Sequence, residues 1–158
     1  MKGQSRIIDK LNDLLADELT AINQYIVHSE MCANWGYERL HDWVEKRAFV
    51  EMKHAESLIE RILFFEGKPV VSKLNQINIG GDVLQQLTND RHAEESANKS
   101  YNDGIRLAVE LGDNGTRELL ESILKDEEKH LDDIEAQLDQ VTQMGIENYL
   151  AEQIRNSA

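Results

Sequence analysis

The sequence holds a single cysteine, Cys32, so no disulfide can close within the chain and packing must hold the fold. It also holds a single proline, Pro69, which leaves long stretches free of the residue that breaks helices. Basic residues are in the minority: 17 Lys and Arg face 30 Asp and Glu, for a formal net charge of -13. Such a surface repels nucleic-acid phosphates and anionic membrane faces and attracts cations. No apolar run approaches the ~20 residues that cross a bilayer. The opening MKGQSRIIDKLNDLL has neither a long apolar h-region nor an A-x-A-like cleavage site. A cytoplasmic location is expected, with neither nucleic acid nor membrane as partner.

What is abundant is Leu, Ile, Glu, Lys, Gln and Ala, all at home in helices, in a chain whose 158 residues suit one domain spanning 1–158. The fold class expected is all-α. Core-type positions alternate by three and four at Ile8, Leu11, Leu15, Glu18, Ile22, Tyr25, Ser29 and Cys32. A second stripe runs Leu40, Val44, Arg47, Glu51, His54, Leu58, Ile62, Phe65, and a third Leu84, Leu87, Arg91, Glu94, Asn98, Tyr101, Ile105, Ala108. The fourth is Leu120, Ile123, Glu127, His130, Ile134, Gln137, Val141. Turn signals at NWG, EGKPVV, GGD, GDNG and MG then place helices at 5–34, 38–65, 83–111 and 116–143, with a short fifth at 147–155.

Every long helix thus carries a carboxylate in its inward stripe. Glu18 precedes Glu51 by 33 residues, and Glu94 precedes Glu127 by the same 33. Residues equidistant from the turn of an antiparallel hairpin lie level, so each hairpin sets its lone Glu opposite its Glu-x-x-His. Tyr25 and Tyr101 each follow the lone Glu by seven residues, and the chain reads as two copies of one hairpin offset by 76. The 17 residues from 66 to 82 exceed a usual bundle connection. At roughly 3.3 Å per residue they can run past the ~40 Å of a 28-residue helix, which predicts a long crossover.

Residues i and i+3 share a helix face, so Glu51 with His54, and Glu127 with His130, can each offer an oxygen and a nitrogen to one point. With Glu18 and Glu94 the set holds four carboxylates and two imidazoles. Burying four unpaired carboxylates costs several kcal/mol each, on the order of the penalty for any buried polar group left without a partner. Two divalent cations would neutralise them. Oxygen and imidazole donors without thiolate suit iron, manganese or zinc better than copper(I). Tyr25 and Tyr101 nearby favour iron, although their simpler reading is core packing with a polar handle. His28, His41 and His92 lack such partners and read as surface or intersubunit residues, and the run KDEEKH reads as a solvated face apart from its ligands. A di-metal oxidase that stores nothing, and a helical scaffold with internal salt bridges, are the competing readings.

Met52 lies about 100° round the helix from Glu51 and cannot join the inward cluster. It belongs to an outward stripe with Phe49, Ile59 and Leu63, matched on the first helix by Leu19, Ile22 and Ile26. An apolar outer face of this kind is a subunit interface, and Met52 on this reading is interface packing.

The segments LNDLLADELTAINQYIVHSEM, EMKHAESLIERILFFEGKP and MGIENYLAEQI resemble bacterioferritin, and the resemblance runs from end to end. It implies a ferritin-like four-helix bundle. It implies a di-iron ferroxidase centre, two Fe per subunit, on Glu18, Glu51, His54, Glu94, Glu127 and His130, with Tyr25 as accessory. It also implies that Met52 is an axial ligand of haem b, one haem per two subunits, in a pocket lined by Leu19, Ile22, Asn23, Ile26, Phe49 and Lys53. Further implications are iron storage in a 24-subunit shell built from dimers, a possible second ferritin subunit type, and a ferredoxin-like reductant that draws electrons through haem for iron release. Ile146 to Ile154 would sit near the four-fold axes. The chain departs from some members at Lys46 and Val50, where they place His and Asp at an inner-surface iron site, and at Asp133 and Leu58, where they carry aromatics.

Overall fold

The computed structural model describes residues 1–155. The expected domain runs to Ala158, and its last three residues lie outside that range. Four long helices form: α1 (Ser5–Asn34), α2 (Glu38–Phe64), α3 (Val83–Glu110) and α4 (Asn114–Met144), followed by a short α5 (Ile146–Gln153). No strand occurs among the described residues.

The boundaries follow local chemistry. The Asp82 side chain accepts the Gln85 amide at 2.8 Å and so starts α3, while Asp113 accepts the Thr116 amide at 3.0 Å. That second cap explains why α4 begins two residues before the 116 expected from GDNG. At the far end Gly145 adopts φ 81°, a left-handed turn that stops α4 and redirects the chain into α5.

Helix α1 packs along α2 and α3 along α4 as antiparallel hairpins, and α1 also meets α3. The stripes close over a core in which Leu11, Leu14, Leu15, Leu58, Ile62, Leu120 and Ile134 are all but sealed from solvent. Each such side chain contributes about 1.5–3 kcal/mol through burial. A second cluster of Cys32, Leu40, Val83, Leu87, Val141 and Tyr149 seats α5 against the bundle end. Leu84, expected in the core, is 43% exposed; the cap at Asp82 sets the helix phase so that Val83 turns inward instead.

The predicted crossover is present and is pinned to α1 by side chains. Asn12 Oδ1 accepts the Val70 amide, Thr20 Oγ1 that of Asn75, Gln24 Oε1 that of Asn78, and His28 Nε2 that of Gly80, all at 2.8–3.0 Å. Acceptors one or two helical turns apart along α1 thus serve an extended strap with no sheet to join. Gly80 is required by space, since a Cβ there would meet the Gln86 amide nitrogen at 2.4 Å.

This corrects the surface reading of His28, whose ring is fully buried. Its Nδ1 lies 2.9 Å from Asp90 Oδ1, which also accepts Gln24 Nε2 at 2.8 Å. His92 is exposed beside Glu95, and half-buried His41 lies 2.9 Å from the Ser29 carbonyl.

Candidate metal centre

At mid-bundle the four long helices bring Glu18, Glu51, His54, Glu94, Glu127 and His130 together. Their donor atoms fall into two groups: Glu18, Glu51, His54 and Glu127 in one, Glu51, Glu94, Glu127 and His130 in the other. Within each group all donors lie within 4.8 Å of one another. Glu51 and Glu127 belong to both, so each Glu-x-x-His carboxylate faces the two centres at once. All four carboxylates are at most 2% exposed, His54 is 5% exposed, and His130 is partly covered.

The imidazoles present Nδ1 to the cluster. His54 Nδ1 lies 3.2 Å from Glu51 Oε2 and 2.9 Å from Glu127 Oε1, and His130 Nδ1 lies 3.1 Å from Glu51 Oε1. The tyrosines cross over between hairpins: Tyr25 donates to Glu94 Oε1 and Tyr101 to Glu18 Oε1, each at 2.5 Å. Both rings are sealed in the core, as the packing reading expected, and each hydroxyl orients the lone Glu of the opposite hairpin.

The electrostatics are those of a cation site. Burial pushes the Glu18 and Glu94 carboxyls well above the usual carboxylate range, reinforced by Glu51 beside the first and Glu127 beside the second. Burial also raises Glu127, to about 8. Burial would raise Glu51 too, yet hydrogen bonds with Glu18, His130, His54 and Glu127 hold it well below its ordinary value. For His54 burial opposes charge, and the carboxylates of Glu127, Glu18 and Glu51 overcome it and push the pKa far up. The protein's own groups balance the cluster by retaining protons, which divalent cations would displace.

Glu18 Oε2 and Glu94 Oε2 are buried without a hydrogen-bond partner, and Glu127 Oε1 has only the charged contact with His54 Nδ1. Such atoms cost about 1–3 kcal/mol each when left unpaired, and all three sit on residues of the donor groups above. Carboxylate and imidazole donors with free lone pairs around two points fit two divalent ions of the iron, manganese or zinc type.

Two neighbours escaped the sequence reading. Arg47, 5% exposed, donates to Glu94 Oε1 at 3.0 Å and lies 5.6 Å from the Tyr25 ring and 5.0 Å from that of Trp43. Its place in the inward stripe was the available signal. Asp126, in the run read as solvated, lies 2.8 Å from His54 Nε2. Nothing in the periodicity marked it, because it approaches from the edge of α4 and stays mostly exposed.

A cavity of about 350 Å³ opens beside this cluster, bounded by Asp17 and Gln24 of α1, Asn75 and Asn78 of the strap, and Asn89 and His92 of α3. On the outer face Met52 is 40% exposed, with Phe49 at 56%, Leu63 at 58% and Ile26 at 48%, so the apolar outward stripe is real. Asn23 and Lys53 are exposed at its margins, while Leu19 and Ile22 are half-buried against the core. Among the described residues no helix is long and apolar enough to cross a membrane.

Residues 8–144 match the ferritin-like domain family. A protein of Brucella melitensis named bacterioferritin is 40% identical over 149 residues, covering 94% of this chain and 92% of its own length. One of Mycobacterium tuberculosis named bacterioferritin BfrA is 37% identical over 152 residues, covering 96% of each chain. Another from Rhodobacter capsulatus, also named bacterioferritin, is 36% identical over 149 residues.

Proposed function

The chain belongs to the bacterioferritin family of ferritin-like proteins, and from that premise we propose that it oxidises Fe2+ and stores the product as ferric mineral. The two interlocked donor groups carry the reading, because a buried cluster shared through Glu51 and Glu127 suits a pair of like cations. Fe2+ is the substrate and the electron source there, with dioxygen or peroxide as acceptor. Glu18 and His54 hold one ion, Glu94 and His130 the other, and Glu51 and Glu127 serve both. Tyr25 and Tyr101 keep Glu94 and Glu18 oriented through their hydroxyls. As cations enter, the protons held on Glu18, Glu94, Glu127 and His54 leave to solvent. The cavity beside the cluster, with Asp17 and His92 on its wall, supplies a way in.

The storage reading extends to a single domain of residues 1–158, copies of which assemble as dimers into a 24-subunit shell in the cytoplasm, alone or with a second ferritin subunit type. The exposed apolar stripe supports the dimer. Haem b fits that stripe: Met52 offers a neutral thioether suited to haem iron, a two-fold axis would supply the second from a copy, and Leu19, Ile22, Asn23, Ile26, Phe49 and Lys53 border the position. The haem would pass electrons from a ferredoxin-like donor for iron release.

Anaerobic Fe2+ titration of the assembled protein should saturate near two ions per chain, and at no more than one in Glu18→Ala or His130→Ala. Aerobic Fe2+ addition should leave mineral iron that co-elutes with the protein. Binding without retained mineral would remove storage and leave a di-metal oxidase.

A further inference from the structure

The two hairpins superpose as a sequence repeat offset by 76, which carries Glu18 onto Glu94, Tyr25 onto Tyr101, Glu51 onto Glu127 and His54 onto His130. The residues immediately behind these donors do not follow the repeat. Arg47 maps onto Ile123, a buried apolar residue, and Asp126 maps back onto Val50. The two halves of the site therefore share the same inner donors and differ in what stands behind them.

On the Glu94–His130 half stands a guanidinium, charged at any working pH. It donates to Glu94 Oε1 at 3.0 Å, and the same oxygen accepts the Tyr25 hydroxyl. Glu94 is thus left with Oε2 alone to offer a cation. Arg47 cannot swing away freely, since it is sandwiched by Tyr25 and Trp43 and its other arm lies 3.4 Å from the His130 carbonyl. On the Glu18–His54 half Glu18 accepts only Tyr101, and His54 has Asp126 Oδ2 at 2.8 Å from its outer nitrogen. A carboxylate in that position holds the outer N–H, so that Nδ1 is the nitrogen a cation would take, and makes it a better donor. Val50 gives His130 no such support.

We propose that Arg47 and Asp126 make the two half-sites unequal, so that divalent cations load in order, the Glu18–His54 half first and the Glu94–His130 half second. Arg47 is a positioning residue in this scheme: it acts through Glu94, by adding a positive charge where the second cation must sit. The difference between halves amounts to one nearby anion on one side and one cation on the other. The first ion then binds on the side that carries the extra anion, and the second must share Glu94 with a guanidinium. The proposal rests on the di-metal reading above.

Anaerobic titration of the metal-free assembled protein with Co2+, followed by visible absorption and by calorimetry, reads the order directly. Two phases of one ion per chain are expected, the second at least about ten-fold weaker, as a fixed cation 3.0 Å from the Glu94 carboxylate requires. His130→Ala should keep the tighter phase and lose the weaker, and His54→Ala should do the reverse. Arg47→Met should bring the second phase up by about ten-fold toward the first, whereas Arg47→Lys, which keeps the charge, should retain two separate phases. Two equivalent ions in the native protein, or a tight phase that survives His54→Ala, overturns the ordering while leaving the di-metal site standing. No bound Co2+ at all overturns the di-metal reading itself. Should Arg47→Met fail to fold, as helical circular dichroism would show, the two histidine variants decide the matter on the native Arg47 background.

Discussion

Cations that bind only the folded chain must stabilise it, and the donor groups say by how much and through which residues. Zn2+ serves as a redox-silent probe of the metal-free protein. At a free concentration one hundred times the dissociation constant of the weaker half-site, each ion adds at least about 2.7 kcal/mol, so two add at least about 5.4 kcal/mol. For a chain of this length a kcal/mol moves Tm by about 2–4 °C, giving an expected rise of about 11–22 °C by scanning calorimetry. Glu51 belongs to both donor groups, so Glu51→Ala should abolish nearly all of that rise relative to its own metal-free baseline. His54→Ala, which touches one group, should remove about half. A further cluster of Glu30, His41 and Glu45 also brings donor atoms within 4.8 Å, but it is open to solvent, and His41→Ala should leave the rise intact. A Glu51→Ala protein that still gains the full native rise would refute the shared-carboxylate arrangement.

Stability of the metal-free protein should fall between pH 4.5 and pH 8. Glu127, raised by burial from 4.5 to about 8, binds its proton more tightly folded than unfolded; its contribution is complete below 4.5 and lost as pH rises through 8. Calorimetric scans across that window, with and without Zn2+, check the sign, and a rise in metal-free Tm would contradict it. Met52→Leu should abolish a low-spin haem spectrum while the two-ion titration stays unchanged; persistence of the spectrum would exclude Met52 as ligand. Asp90→Ala leaves Gln24 Nε2 and His28 Nδ1 unpaired in a sealed pocket and should cost about 2–4 kcal/mol in urea unfolding, with metal stoichiometry retained.

The bundle and its inner donors were legible because helical periodicity is regular and each ionisable residue in an apolar stripe announces itself. Glu18, Glu51, Glu94 and Glu127 all stand where Leu would, and the structure buries all four. The crossover followed from length alone. Its pinning did not, because His28 and Asp90 lie 62 residues apart and neither interrupts a stripe. Arg47 did interrupt one, but periodicity cannot say whether a buried cation answers Glu94 or another acid. Asp126 was hidden for the opposite reason: it looks like any exposed acidic residue until His54 reaches across from α2 to meet it.

The strap along α1 can also be measured as a tether against a ruler. From Asn12 to Thr20 the helix advances about 12 Å, from Thr20 to Gln24 about 6 Å, and from Gln24 to His28 about 6 Å. The strap covers the same intervals with five, three and two residues, from Val70 to Asn75 to Asn78 to Gly80. Extended, those stretches reach about 16, 10 and 6.6 Å. The tether is slack where it leaves α2 and taut where it enters α3. Spare chain lies at 71–74 and at Gln76 and Ile77, and almost none at Ile79, so the point at which α3 begins is set by the place of His28 on α1 as much as by the cap at Asp82.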